Sequence, residues 1–447
     1  MEDKSRTLHL GVMPTGSGAI GDERAWLNPA EPADASVNAS WYQEVSAIAE
    51  AGLFDFVFLS DSVFANLAGA PHSITRMEPL ALLSYLAAGT RNIGLVGTVS
   101  TTYQHPYNLA RSMMTLDHIS GGRAGWHVVT SVGEQAARNF GMPEQQAHET
   151  RYARAAESVQ VVQALWRSFD EDAFPRDRST GQFLDPHAVH KVAHHGEFFD
   201  VEGPLNIGRS LQGEPVIFQA GYSAPGVRLG AETADVIFSL PIDTQAALAH
   251  RARVTEAARS HRPKHLSDPL FMAGIVAITG ATETEAQDRY EEFLRLHDRD
   301  RELIARVLRA VERDAGKDPV TSPQLTELVT AEDVKRAHKN EGSWLSTDLQ
   351  HSLEVGHRFN EAIERIAERY RLILVGTPEQ LADTFEEWFR SGAADGFILQ
   401  VSDRKLFRDF VELVVPELQR RGLFRESYPE RATLRGLLGI SSATPAD

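Results

Sequence analysis

A strict alternation of short apolar runs with helix-period segments constrains this chain more than any other feature. The runs start near residues 8, 54, 93, 124, 216, 236, 271 and 396, and between nearly all of them apolar residues recur at helical spacing. Strands separated by whole helices pair in parallel, because a parallel connection needs a crossover of a dozen residues or more. Eight such units predict a (β/α)8 barrel of the α/β class, the TIM barrel, with insertions after the fourth and seventh strands. The competing fold is a doubly wound sheet. No G-x-G-x-x-G turn follows the first run, and the chain has no G-x-x-x-x-G-K-[ST] loop, so neither a Rossmann dinucleotide site nor a P-loop is supported.

The best-marked unit runs from Leu116 to Ser131, L-D-H-I-S-G-G-R-A-G-W-H-V-V-T-S. A helix-period segment stops at Gly121-Gly122, a buried strand opens at Ala124, and the strand ends in Thr130-Ser131. Elsewhere Ser40 reads as the N-cap of a helix over 41–51 that stops at Gly52, and Pro378 opens a helix after Thr377. One barrel domain is expected over 1–447, with a hairpin or loop insertion at about 169–213. A charged, helix-prone insertion at about 298–369 is the expected lid.

The chain has 447 residues, and its 62 acidic side chains against 45 basic ones give a net charge of −17. That field repels phosphate backbones and anionic lipid surfaces, which argues against nucleic acid or a membrane as partner. There are no cysteines, which removes disulfides, thiolate nucleophiles and Cys-ligated metals. The N-terminus leads into a strand-like run rather than an apolar signal core, so a cytoplasmic setting is expected. His187, His190, His194 and His195 fit no known ligand spacing, and no metal is expected.

In a parallel barrel the chemistry gathers at the carboxyl ends of the strands. The polar groups there are Ser60 and Asp61, Thr98, His127, Thr130 and Ser131, and Tyr222 with Ser223. Each has an ordinary account as well: Asp61 as a turn cap, Thr98 as a β-branched strand residue, His127 as a neutral core histidine. His148 and Tyr152 are four apart on one helix face and point at the same object. In Gly221-Tyr-Ser-Ala-Pro-Gly226, glycine admits a close approach, and Ser223 with the free N–H groups of the next helix suits a phosphate monoester.

The segment 116–131 resembles the T-L-D-H-x-S-x-G-R-x-G-W-N-x-V-T-S signature of the bacterial-luciferase-like flavin monooxygenases, in the subgroup of the nitrilotriacetate and dibenzothiophene-sulfone monooxygenase large components. F-V-F-L-S-D (56–61), H-P-Y (105–107), E-T-R-Y (149–152), G-P-L-N (203–206), Q-A-G-Y-S (219–223) and G-T-P-E-Q-L-A-D (376–383) with A-A-D-G-F (393–397) follow in family order. The resemblance implies the same barrel, with FMN delivered reduced (FMNH2) to its mouth. The positions matching the family's flavin contacts are Asp61, Thr98, His148, Tyr152 and Ser223, the last near the phosphate. It also implies a two-component monooxygenase: FMNH2 comes from a separate NAD(P)H:flavin reductase, and O2 inserts one oxygen into a small organic substrate through a C4a-peroxyflavin. His127 and His148 are the candidate catalytic residues, and a homodimer or homotetramer is usual for the family. Two positions depart from the pattern. His127 stands where the signature has Asn, and Ala25-Trp-Leu-Asn-Pro29 stands where many relatives have Trp-Arg-His-Pro. The alternative reading is a flavin- or deazaflavin-dependent hydride-transfer oxidoreductase on the same barrel.

Overall fold

Parallel pairing runs round a closed circuit. The computed structural model describes residues 6–18, 24–67, 70–264, 266–296 and 372–441, and the lid-like stretch at about 298–369 lies outside the described residues. Eight strands form the circuit: β1 (His9–Pro14), β2 (Phe56–Leu59), β3 (Gly94–Ser100), β4 (Ala124–Val129), β5 (Val216–Gln219), β6 (Val236–Ser239), β7 (Leu270–Thr279) and β9 (Gly396–Val401). The last strand returns to the first, with His9 opposite Gly396 and Pro14 opposite Val401. The barrel expected from the eight apolar runs is therefore the observed fold.

A ninth strand, β8 (Leu372–Gly376), has no counterpart in the sequence reading. It pairs in parallel with only the second half of β7, from Ile275 to Thr279. β7 is ten residues long, and its first half already serves β6 and β9. The five-residue run Leu-Ile-Leu-Val-Gly is short and ends directly in the Thr377 cap of the helix Pro378–Ser391, so periodicity gave it no separate signal. That helix has a full capping box, Thr377 with Gln380. The helix expected from Trp41 starts at Ala39 instead. Asn38, rather than Ser40, caps it by accepting from the Trp41 N–H.

The barrel interior is filled from its amino end. Leu434 and Leu438, from the C-terminal segment, pack with Phe56, Val96, Val216, Phe218 and Met272. Gly94 and Gly125 make room for this plug: a Cβ on Gly94 would meet Leu434 Cδ1 at 2.5 Å. The next layer is aromatic, with Phe58 ring centroids 6.1 Å from Phe218 and 5.4 Å from Phe238. A larger apolar shell, including Trp126 and Trp166 at 6.3 Å, seals strands against helices. The stretch after β4 contains a two-residue antiparallel ladder, His194–His195 with Asp200–Val201.

Much of the 116–131 signature works at the closed, amino end of β4. Asp117 accepts from the Ala124 N–H at 2.8 Å, from Gln212 Nε2 at 2.7 Å and from the Ser210 hydroxyl. Burial raises its pKa to about 6 in spite of those bonds. Gly121 and Gly122 turn the chain at φ 73° and 90°. Arg123, 3% exposed, donates to the carbonyls of Ser120, Ile93, Ala87 and Thr90 and to the Thr90 hydroxyl. It ties two helix ends to the start of β3. Removing it strands several buried carbonyls, so Arg123→Ala is expected to lower folding stability by about 3 kcal/mol or more, read as a lower urea midpoint.

Candidate active site

Strand register makes the first part of the site. Thr98 and His127 are opposite each other on β3 and β4, and Thr98 Oγ1 lies 2.8 Å from His127 Nδ1. The His127 ring rests on Phe58, with centroids 4.8 Å apart. The residue is 7% exposed, and its Nε2 has no hydrogen-bond partner among the described residues. Burial pushes the imidazole pKa down to about 3, so His127 is neutral at pH 7. A neutral ring with one nitrogen bonded to a hydroxyl presents the other as a single directed donor or acceptor.

The second part forms where the helix Ala224–Thr233 begins. Ser223 caps that helix, its Oγ accepting from the Gly226 N–H at 3.3 Å. A Cβ on Gly226 would lie 3.1 Å from Tyr152 Oη, 3.2 Å from Ser223 Oγ and 3.1 Å from the Gly221 Cα. The Tyr152 and Ser223 hydroxyls thus meet at the first turn of this helix, packed so closely that residue 226 has no room for a side chain. The Tyr222 hydroxyl accepts from the Leu240 N–H at 2.8 Å, its ring lies 4.4 Å from His250, and Arg253 donates to its carbonyl, which fixes the turn. His148 begins the helix His148–Trp166 and carries the Tyr152 neighbour at 4.8 Å, tilted by 50°. It is exposed at the rim.

Asp61 belongs to a third group, just past the end of β2. Arg76 Nε stands 3.9 Å from its carboxylate, and Arg76 Nη2 donates to Ser62 Oγ at 3.3 Å. Burial raises the Asp61 pKa to about 6, overriding the attraction of Arg76. Of the residues singled out in the sequence, Thr98 is thus brought to His127, and Tyr152 to the Ser223 turn with His148 beside Tyr152. No hydrogen bond, ion pair or ring contact among the described residues joins Asp61 to either pair.

The remaining strand-end hydroxyls knit the rim. Ser131, at φ 38°, donates to Ser100 Oγ at 2.7 Å, Thr102 Oγ1 donates to the Thr130 carbonyl at 2.7 Å, and Arg151 holds the Thr130 and Ser131 carbonyls. Of the clustered histidines, His190, His194 and His195 each meet a carboxylate: Asp170, Glu157 and Asp200. Among the described residues no group of three or more ligating side chains is placed to hold a metal ion. Sequence reasoning missed Phe58 and Arg76. Phe58 looked like any buried strand residue, and an arginine in a polar loop reads as solvated until its burial is known.

Fold and mouth together define a parallel-barrel enzyme whose working groups sit above an aromatic floor. The luciferase-like monooxygenase family matches the chain over residues 24–395. The chain is 38% identical to N-acetyl-S-(2-succino)cysteine monooxygenase of Bacillus subtilis (strain 168), over 98% of both. It is 37% identical to nitrilotriacetate monooxygenase component A of Aminobacter aminovorans, over 98% of this chain and 97% of that one. Its structure resembles that of long-chain alkane monooxygenase LadA, with a TM-score of 0.80 at 28% identity over 97% and 96% of the two chains. The chain belongs to the luciferase-like monooxygenase family, and its activity is that of a monooxygenase rather than of a hydride-transfer enzyme.

The raised Asp61 pKa gives a signed test. The folded state holds this proton more tightly than the unfolded chain, so the carboxyl's contribution to stability falls as pH rises from about 4 to about 6. Carboxyl-carbon NMR is expected to titrate Asp61 near pH 6. Arg76→Gln is expected to move it higher, because the lowering charge is gone.

Proposed function

We propose that this protein is the oxygenase of a two-component pair, taking reduced FMN from a separate NAD(P)H-dependent flavin reductase and inserting one atom of O2 into a small organic substrate. The observation that carries the proposal is the meeting of the Tyr152 and Ser223 hydroxyls at the first turn of the helix Ala224–Thr233, a set of groups suited to a phosphate monoester. The names of relatives point the same way. One is the component A above, and another is one of the two subunits of pristinamycin IIA synthase from Streptomyces pristinaespiralis, at 36% identity. A structure of riboflavin lyase with modified FMN, at 28% identity and a TM-score of 0.79, supports the choice of flavin.

Reduced FMN, when bound, supplies the electrons that activate O2. This chain's part is to bind, orient and shield. Ser223, Tyr152 and the positive end of the following helix would hold the phosphate, with His148 at the outer edge. Thr98 fixes the His127 ring, and the unpartnered Nε2 would offer one hydrogen bond to a bound cofactor or substrate. With its pKa near 3, His127 orients and does not donate protons at neutral pH. Asp61, titrating near 6, is the group suited to move a proton under working conditions. Phe58 and Phe238 form a dry floor that limits access of water to the reduced cofactor. Dependence on an NAD(P)H-dependent partner goes with a cytoplasmic protein, working as a homodimer or homotetramer.

The test is oxygen dependence. With FMNH2 loaded anaerobically and a panel of sulfones, thioethers and aminopolycarboxylates present, no compound is expected to change until O2 is admitted. One class is then expected to gain a single oxygen atom by mass spectrometry. Turnover without O2 would contradict the proposal.

A further inference from the structure

Arg76 is a poorly exposed cation whose contacts are long. Its side chain is 13% exposed, and it stands 3.9 Å from Asp61 Oδ1 and 3.3 Å from Ser62 Oγ. Charge-assisted hydrogen bonds to carboxylates run at about 2.7–2.9 Å. Several other arginines in this chain meet closer partners. Arg167 reaches Glu214 at 2.5 Å, Arg251 reaches Asp395 at 2.8 Å, Arg435 reaches Asp235 at 3.0 Å, and Arg123 spends its donors on carbonyls. Arg76 has one hydroxyl acceptor for five N–H donors among the described residues. Burying a guanidinium costs free energy that a well-placed anion recovers.

Its loop is held in place. The His72 N–H donates to the Gly18 carbonyl at 3.0 Å, and His72 Nδ1 lies 3.1 Å from Ser36 Oγ, so the loops after β1 and β2 are stitched together. The Ser17 and Ser36 hydroxyls exchange hydrogen bonds with each other's backbone N–H at 2.9 and 3.1 Å. Arg76 therefore projects from a braced platform. In the barrel circuit β2 lies three strands from β5, so this cation and the Ser223 turn belong to different sectors of the mouth. A ligand phosphate held at Ser223 leaves Arg76 unused. In a chain of net charge −17, an acidic ligand needs such a local cation to offset the overall field.

We propose that Arg76 anchors the substrate, and that the substrate carries a carboxylate whose two oxygens match the guanidinium fork. The inference rests on the proposed function, since it takes the mouth to be shared between FMN and substrate. Asp61 and Ser62 then flank the ion pair.

The experiment titrates FMN-loaded protein with succinate and with N-acetyl-S-(2-succino)cysteine, each against its methyl ester, by calorimetry. Wild type is expected to bind the acids at least tenfold tighter than the esters. Arg76→Gln is expected to weaken acid binding by about ten- to a hundredfold, leaving ester and FMN affinities within about twofold, as loss of a charged hydrogen-bonding partner implies. Arg76→Lys restores part of the acid preference, because charge returns without the fork. Retained FMN affinity shows that each variant is folded. Equal binding of acids and esters by wild type would overturn the inference, and so would an acid preference that survives Arg76→Gln. Loss of FMN by Arg76→Gln would overturn it too, by assigning the guanidinium to the cofactor. Failure of wild type to bind FMN would instead overturn the function on which it rests.

Discussion

Closure of the parallel sheet is the constraint on which the rest of the structure depends. The circuit is sealed where β6 meets the first half of β7 and where β9 meets β1. Every circuit strand then has neighbours on both sides, and its inward side chains face a space that only they can fill. The C-terminal leucines and the phenylalanines on the strands take up that space from the amino end, so the polar groups emerge only at the other rim. The placement of Thr98, His127, Asp61 and the Ser223 turn at one rim follows from strand direction, since nothing in local sequence puts them on the same side.

The same burial acts in opposite senses on the two titratable groups of the mouth. Both are driven towards the uncharged form: the His127 pKa falls to about 3 and the Asp61 pKa rises to about 6. At neutral pH the first has lost its acid–base use and keeps a directional one, while the second titrates close to the working range. A reduced cofactor that must meet O2 and not water is served by such a low-dielectric site. Arg76 is the exception in this setting, a fixed charge that burial cannot neutralise at working pH.

How much of this was legible in the sequence depended on the range of the interactions. The barrel could be read because eight apolar runs and the helix stripes between them are local patterns, and Gly221 to Gly226 could be read because glycine at a helix start has a local meaning. Leu372–Gly376 escaped because five residues abutting a helix cap carry no period. The Thr98–His127 pair depends on register between two strands 29 residues apart in sequence, which no local pattern encodes. Two residues of the 116–131 signature, Asp117 and Arg123, prove to bolt the closed end of β4, away from the mouth. Arg76 was invisible because exposure, not residue type, is what makes it unusual.

The central claim is that the mouth holds FMN by its phosphate at the Ser223 turn. Fluorescence titration of oxidised FMN into wild type and Tyr152→Phe tests it most directly. The substitution removes only the hydroxyl that approaches Gly226 and keeps the ring and its helix. The account predicts saturable binding by wild type and binding weaker by about tenfold or more in the variant, as loss of a hydrogen bond to a charged group implies, at unchanged thermal stability. Equal affinity of the two proteins would contradict it.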